Sequence, residues 1–148
     1  MNFTKKYYFD FITMCVLKKN KKGMESRMYE KQSIGRFGED TACEYLEKNN
    51  YKIIDRNFRC SQGEIDIVGY DIKNNEIVFL EVKTRTSFNY GFPSEAVNNR
   101  KRRHIFNCAK YYLYCKKIEN KYVRFDVIEI VIDTYNYKYK LNHLVNVF

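Results

Sequence analysis

Proline occurs once in the chain, at Pro93, and nothing repeats at a solenoid period. With 30% charged and 45% hydrophobic residues beside that near-absence of proline, a disordered or low-complexity protein is excluded. The five cysteines (Cys15, Cys43, Cys60, Cys108, Cys115) are odd in number and include no C-x-x-C pair, so their spacing suggests neither a disulfide framework nor a zinc site. Reduced thiols in a cytoplasmic protein are expected instead. Cys108 and Cys115, seven apart in a helical stretch, are expected to share a face and pack as small hydrophobes. The two histidines, His104 and His143, are expected in packing or surface roles. Long apolar runs are missing too. The stretch from Tyr7 to Leu17 lies between lysines and superficially imitates a signal peptide, but Asp10 interrupts it, no small-residue cleavage site follows, and it is too short to span a bilayer. No membrane partner is expected.

What is present is enough for one buried core: 148 residues with 17% aromatics. The formal net charge of +9 is unevenly spread, with +4 in residues 1–30 and +5 in the remaining 118. Residues 1–30 are therefore set apart as a basic, poorly ordered extension, and 31–148 as a single domain. Met24 and Met28 stand just before the patterned region, and translation beginning at one of them is a reasonable hypothesis. The charge of the domain prompts a nucleic-acid reading without proving one.

Ser33 to Lys48 reads as a helix with Ala42, Cys43 and Leu46 on one face and Asn49-Asn50 as a left-handed stop. Glu39 falls on that apolar face, where an unpaired carboxylate is costly, so a partner or a metal is expected beside it. Three strands follow as a meander, Lys52 to Phe58, Glu64 to Tyr70 and Glu76 to Lys83, the last two joined at the turn-prone Lys73-Asn74-Asn75. Ile77-Val78-Phe79-Leu80 is apolar on both faces and marks a central strand. A second helix is expected from Pro93-Ser94 to about Lys117 with Val97, Ile105, Cys108, Ala109 and Tyr112 buried. A strand over Tyr122 to Ile132 and a last one within Tyr137 to Phe148 complete the order.

Acids occur where a buried strand should have none. Asp66 interrupts Ile65-Asp66-Ile67-Val68, and Glu81 and Lys83 end the apolar third strand. Alternation places Glu64 with Asp66 on one side and Glu81 with Lys83 on the neighbouring strand, so that three acids and a lysine converge. Two carboxylates with backbone oxygen and water form the hard, oxygen-rich environment that Mg2+ or Mn2+ prefers. Such an ion, with Lys83 as a second positive charge, is what phosphodiester hydrolysis requires. An acid and a lysine two apart on a strand are common surface patterning; burial within apolar strands is what shifts the balance.

Gly63-Glu64-Ile65-Asp66-Ile67-Val68, followed after fourteen intervening residues from Asp66 by the run Glu81-Val82-Lys83-Thr84-Arg85, resembles the bacterial YraN family, which is assigned to the restriction-endonuclease-like PD-(D/E)XK nuclease superfamily. The resemblance extends through Gly35-Arg36-Phe37-Gly38-Glu39, Arg56-Asn57-Phe58-Arg59, Gly91-Phe92-Pro93 and Arg124-Phe125-Asp126-Val127, covering residues 33–148. It implies an α/β, restriction-endonuclease-like mixed central sheet flanked by helices. It also implies Asp66 and Glu81 as metal ligands, Lys83 as catalytic lysine and Glu39 as the helix-borne acid that completes the site.

Arg100-Lys101-Arg102-Arg103 point around most of the second helix, so at least one must face inward or sideways. Arg85 and Lys101 are the ones expected to approach a phosphate, and the alternative is a solvated helix face. Asp126, two residues after Arg124, is expected to pair with an arginine. The leading expectation is a Mg2+-dependent phosphodiesterase of the endonuclease type acting on nucleic acid, chiefly DNA. By analogy with small nucleases that cover one strand's cleavage site per domain, a homodimer is expected. The alternatives are a non-cleaving nucleic-acid-binding module of nuclease fold, in a repair or DNA-uptake assembly, and a structural partner-binding domain.

Overall fold

A computed structural model describes residues 23–86, 99–133 and 138–147, with side chains from residue 32 onward. Helix α1 (Gly23–Lys48) begins ten residues before the expected Ser33. The added stretch is rich in Met, Glu, Arg, Lys and Gln, all good helix formers, and nothing in it breaks the helix. The helix stops where expected: Asn50 adopts φ 65° and the Asn49 N–H donates to the Leu46 carbonyl at 3.0 Å.

Strands β1 (Tyr51–Cys60), β2 (Gly63–Asp71) and β3 (Glu76–Arg85) form the antiparallel meander. Helix α2 (Asn99–Cys115) then carries the chain to β4 (Tyr122–Asp133), which lies parallel to β3, and β5 (Lys138–Leu144) returns antiparallel to β4. The sheet order is β1-β2-β3-β4-β5, so β3 is central, as its two-sided apolar run requires. Ile77 and Phe79 meet Ile105, Cys108 and Tyr112 of α2 on one face, while Val78 and Leu80 meet Ala42 and Leu46 of α1 on the other. The α/β class and the mixed central sheet flanked by helices are thereby borne out.

The expected start of α2 at Pro93-Ser94, and Val97, lie outside the described residues. Ile105, Cys108, Ala109 and Tyr112 are its buried stripe, as expected. Cys115 corrects the expectation of a shared buried face: it is the last residue of the helix, beyond a stripe that ends at Tyr112, and it is exposed. Cys108 does pack inside, its Sγ 3.0 Å from that of Cys60, and burial together with that contact pushes its thiol up to about 12. Among the described residues no helix is long and apolar enough to cross a membrane.

At the β2–β3 turn, Arg124 is buried within hydrogen-bond reach of three acids. It donates to Glu76 Oε2 (2.6 Å), Asp71 Oδ2 (3.1 Å), both oxygens of Asp126 (3.0 and 3.1 Å) and the Tyr51 hydroxyl (2.8 Å). Asp126 also accepts from His143 Nε2 and the Asn146 N–H, each at 2.9 Å. The expected pairing of Asp126 with an arginine is thus a bidentate one. Burial acts to raise Asp126, but the bonds from His143, Arg124 and Asn146 outweigh it and hold the carboxyl below its usual range. Asp71 is lowered likewise, the bonds from Asn74 and Arg124 outweighing burial.

Removing the guanidinium leaves buried carboxylates uncompensated, so Arg124→Met should cost roughly 3–5 kcal/mol of stability in a urea melt. Because the folded pKa values of Asp71 and Asp126 lie below the unfolded value of about 3.9, their stabilisation is complete above that pH and is lost as pH falls through the folded values. Unfolding midpoints measured from pH 6 down to pH 3 should drop in the acid part of that range, and less steeply in Asp126→Asn.

Candidate active site

The β2–β3 ladder ends at Ile67↔Leu80. One residue further along each strand stand Asp66 and Glu81, where the strands no longer pair. The Val82 N–H, which a ladder carbonyl would otherwise accept, donates to Asp66 Oδ2 at 2.7 Å. This bond turns the Asp66 carboxylate across the gap toward β3. Burial first, and then the negative charge of Glu81, push the Asp66 carboxyl up to about 7 against the pull of the Val82 N–H.

Glu81 is 4% exposed. Its Oε1 accepts from Lys83 Nζ at 2.6 Å and is 3.1 Å from Lys101 Nζ. Its Oε2 is buried and has no hydrogen-bond partner among the described residues. Of the four cations in a row on α2, Lys101 is therefore the one that turns sideways into the site. Burial lowers its pKa, but the charge and hydrogen bond of Glu81 more than reverse that. Lys101, expected near a phosphate at the active end, stands at that end with its ammonium beside Glu81. Arg85 lines the same cavity, Arg102 is half-buried, and Arg100 and Arg103 are exposed.

Glu39 reaches the cavity from α1. The helix comes close because position 38 is glycine: a Cβ there would stand 1.8 Å from Thr84 Oγ1, the third residue beyond Glu81 on β3. Glu39 has the partner its position demanded. Asn57, at φ 53° within β1, donates Nδ2–H to Glu39 Oε2 at 2.9 Å, and Arg56 Nη2 lies 3.9 Å from the same oxygen. Glu64 lines the same cavity as Asp66 and Glu81, as alternation predicts, while its exposed carboxylate also lies 3.4 Å from Arg59.

Gly35, Glu39, Asp66, Glu81, Lys83 and Lys101 thus line one open cavity of about 700 Å³. Among the described residues no three acid, histidine or cysteine side chains stand as a ready metal cage. Asp66 and Glu81 are the pair that could hold a cation, and Glu39 lines the same space and adds to the negative charge that Asp66 feels. Asn57 and Thr84 were not singled out in the sequence. The only signal for Asn57 was its place in the Arg56-Asn57-Phe58-Arg59 motif.

The family model described as "Uncharacterised protein family UPF0102" matches residues 38–130. The chain belongs to the UPF0102 family, the YraN family that its motifs resemble. UPF0102 protein CPE1705 of Clostridium perfringens is 50% identical over 117 residues, which are 79% of this chain and 94% of that relative. UPF0102 protein CLJ_B2665 of Clostridium botulinum is 48% identical over 121 residues, 81% and 97% of the two chains. Among solved structures, a repair endonuclease from Pyrococcus abyssi is similar over 78% of this chain and 40% of that one, at 20% identity and a TM-score of 0.32. At that score the likeness decides neither activity nor the detail of the fold. The matched UPF0102 segment contains Glu39, Asp66, Glu81, Lys83 and Lys101.

Gly38→Ala tests how closely α1 must approach. The new methyl cannot fit against the short, branched Thr84, so α1 and Glu39 must move outward. A loss of about 1–3 kcal/mol in chemical denaturation is expected, and Thr84→Ala, which removes the clashing hydroxyl, should recover part of it in the double variant.

Proposed function

We propose that this cavity hydrolyses phosphodiester bonds of nucleic acid, DNA foremost, with a divalent cation held by Asp66 and Glu81. The observation that carries this reading is the buried Glu81 Oε2, without a hydrogen-bond partner among the described residues, beside an Asp66 carboxyl raised to about 7. Two buried acids so placed repel each other, and a hard cation between them removes both the repulsion and the orphaned acceptor. The donor set fits Mg2+ or Mn2+: oxygens only, in an open cavity with room for water and a phosphate. When bound, such an ion supplies charge neutralisation at the phosphoryl oxygens and a more acidic water.

The rest of the chemistry falls to the chain. Lys83, anchored on Glu81 Oε1, places its ammonium at the cavity wall where phosphoryl charge develops, and Lys101 holds a second ammonium beside it. Glu39, kept in place by Asn57, offers an acceptor on the far side for a proton of the attacking water. Arg85 and the exposed Arg100 and Arg103 supply positive charge for the phosphate backbone around the cleaved bond, with Arg102 on the same helix.

One observation favours a second reading, a nucleic-acid-binding module that does not cut. Both lysines already neutralise Glu81 Oε1, and no three-carboxylate cage stands ready among the described residues.

Calorimetric titration of Mg2+ or Mn2+ into the wild type, Asp66→Ala and Glu81→Ala, with labelled DNA structures incubated in parallel, separates the two. The hydrolytic reading expects a binding heat lost in both variants, metal-dependent cutting, and a fall in rate on the order of 10²-fold in Lys83→Ala. DNA binding without metal and without cutting would replace it with the binding module.

A further inference from the structure

Helix α2 turns one side to the core and Lys101 to the site, but its outer side has a pattern of its own. Arg103, Phe106, Lys110 and Tyr114, spaced three, four and four apart, fall on one face opposite the buried stripe, and all four are exposed. Cation and aromatic ring alternate along it. Lys110 Nζ lies 4.6 Å above the centre of the Phe106 ring, which leans on Phe125 with centroids 5.9 Å apart. Tyr114 is 82% exposed, and Tyr111, one turn earlier, is 47% exposed. From Asn99 to Lys117 the chain has seven cations and no acid. Lone exposed aromatics are ordinary on soluble proteins; rings interleaved with cations on an acid-free helix face, on the helix that also delivers Lys101 to the carboxylates, are not.

The geometry points to the outer face of α2 as a binding track for an unpaired nucleic-acid strand, its phosphates on Arg103 and Lys110 and its bases stacked on Tyr114. An unpaired strand is selected because the flat face of a base is accessible to an exposed ring only when the base is not already stacked in a duplex. The cations supply the charge complementarity that a polyanion requires and an apolar protein partner would not. From Lys101 to Tyr114 the helix rises about 20 Å, enough to follow several nucleotides away from the cavity. The inference deepens the nuclease reading by naming a single-stranded substrate or arm, and rests on that reading only for the strand's route into the cavity.

The test is fluorescence anisotropy of a labelled oligodeoxythymidine, a duplex of matching length and an abasic strand, all in chelator so that no metal-dependent cutting intervenes. The wild type should bind the oligodeoxythymidine more tightly than the abasic strand. Tyr114→Ala should weaken oligodeoxythymidine binding about fivefold or more, Tyr114→Phe should retain it, and duplex binding should be unchanged in both. Lys110→Ala should reduce the salt slope for the single strand by about 0.7. Wild-type affinity in Tyr114→Ala, or equal affinity for the strands with and without bases, overturns the track. If Asp66-dependent cutting is absent while the Tyr114 effect holds, only the hydrolytic reading fails; if cutting is present and Tyr114→Ala binds as the wild type, only the track fails.

Discussion

A single hydrogen bond, from the Val82 N–H to Asp66 Oδ2 at 2.7 Å, replaces the ladder bond where β2 and β3 part. Everything at the candidate site depends on that replacement. Had the ladder continued, a main-chain carbonyl would have taken the Val82 N–H and the Asp66 side chain would have been free to leave the space beside Glu81. Because the carboxylate takes the donor instead, two acids from neighbouring strands are held close at the mouth of a cavity, and the cost is visible in the raised Asp66 carboxyl. Lysines from two different elements, Lys83 on β3 and Lys101 on α2, offset part of that cost by meeting on one oxygen of Glu81.

The two ends of β3 resolve the same difficulty in opposite ways. Near Glu76 the acids of β2, β3 and β4 gather around Arg124, and nearly every lone pair and donor there is used. Near Glu81 an acceptor is left over and the space is open. A fully satisfied network stiffens the sheet, whereas an incompletely satisfied one next to a cavity is where a cation or a phosphate has something to gain. The close approach of Gly38 to Thr84 brings α1 against this open end and sets how far Glu39 stands from the other acids.

Much of the fold was legible because its signals are local. The two-sided apolar run of β3, the turn at Lys73-Asn74-Asn75 and the asparagine stop of α1 each follow from a few adjacent residues, and each stands where expected. Elements misjudged were those whose ends depend on what lies across from them. The helix from Gly23 continues through residues with no apolar periodicity to announce it, and Cys115 escapes burial because the core ends one turn earlier.

By itself the sequence determined the α/β class, the central strand and the presence of Asp66, Glu81 and Lys83 inside apolar segments, since burial of an acid is read from its immediate neighbours. Tertiary structure alone decided that Lys101 serves Glu81 instead of facing outward, that Asn57 holds Glu39, and that one oxygen of Glu81 is left without a partner among the described residues. Those facts join residues up to 20 positions apart on different elements. The physical reason is that hydrogen bonds and ion pairs are satisfied by whichever donor the packing brings within about 3 Å, and no local pattern records which one that will be.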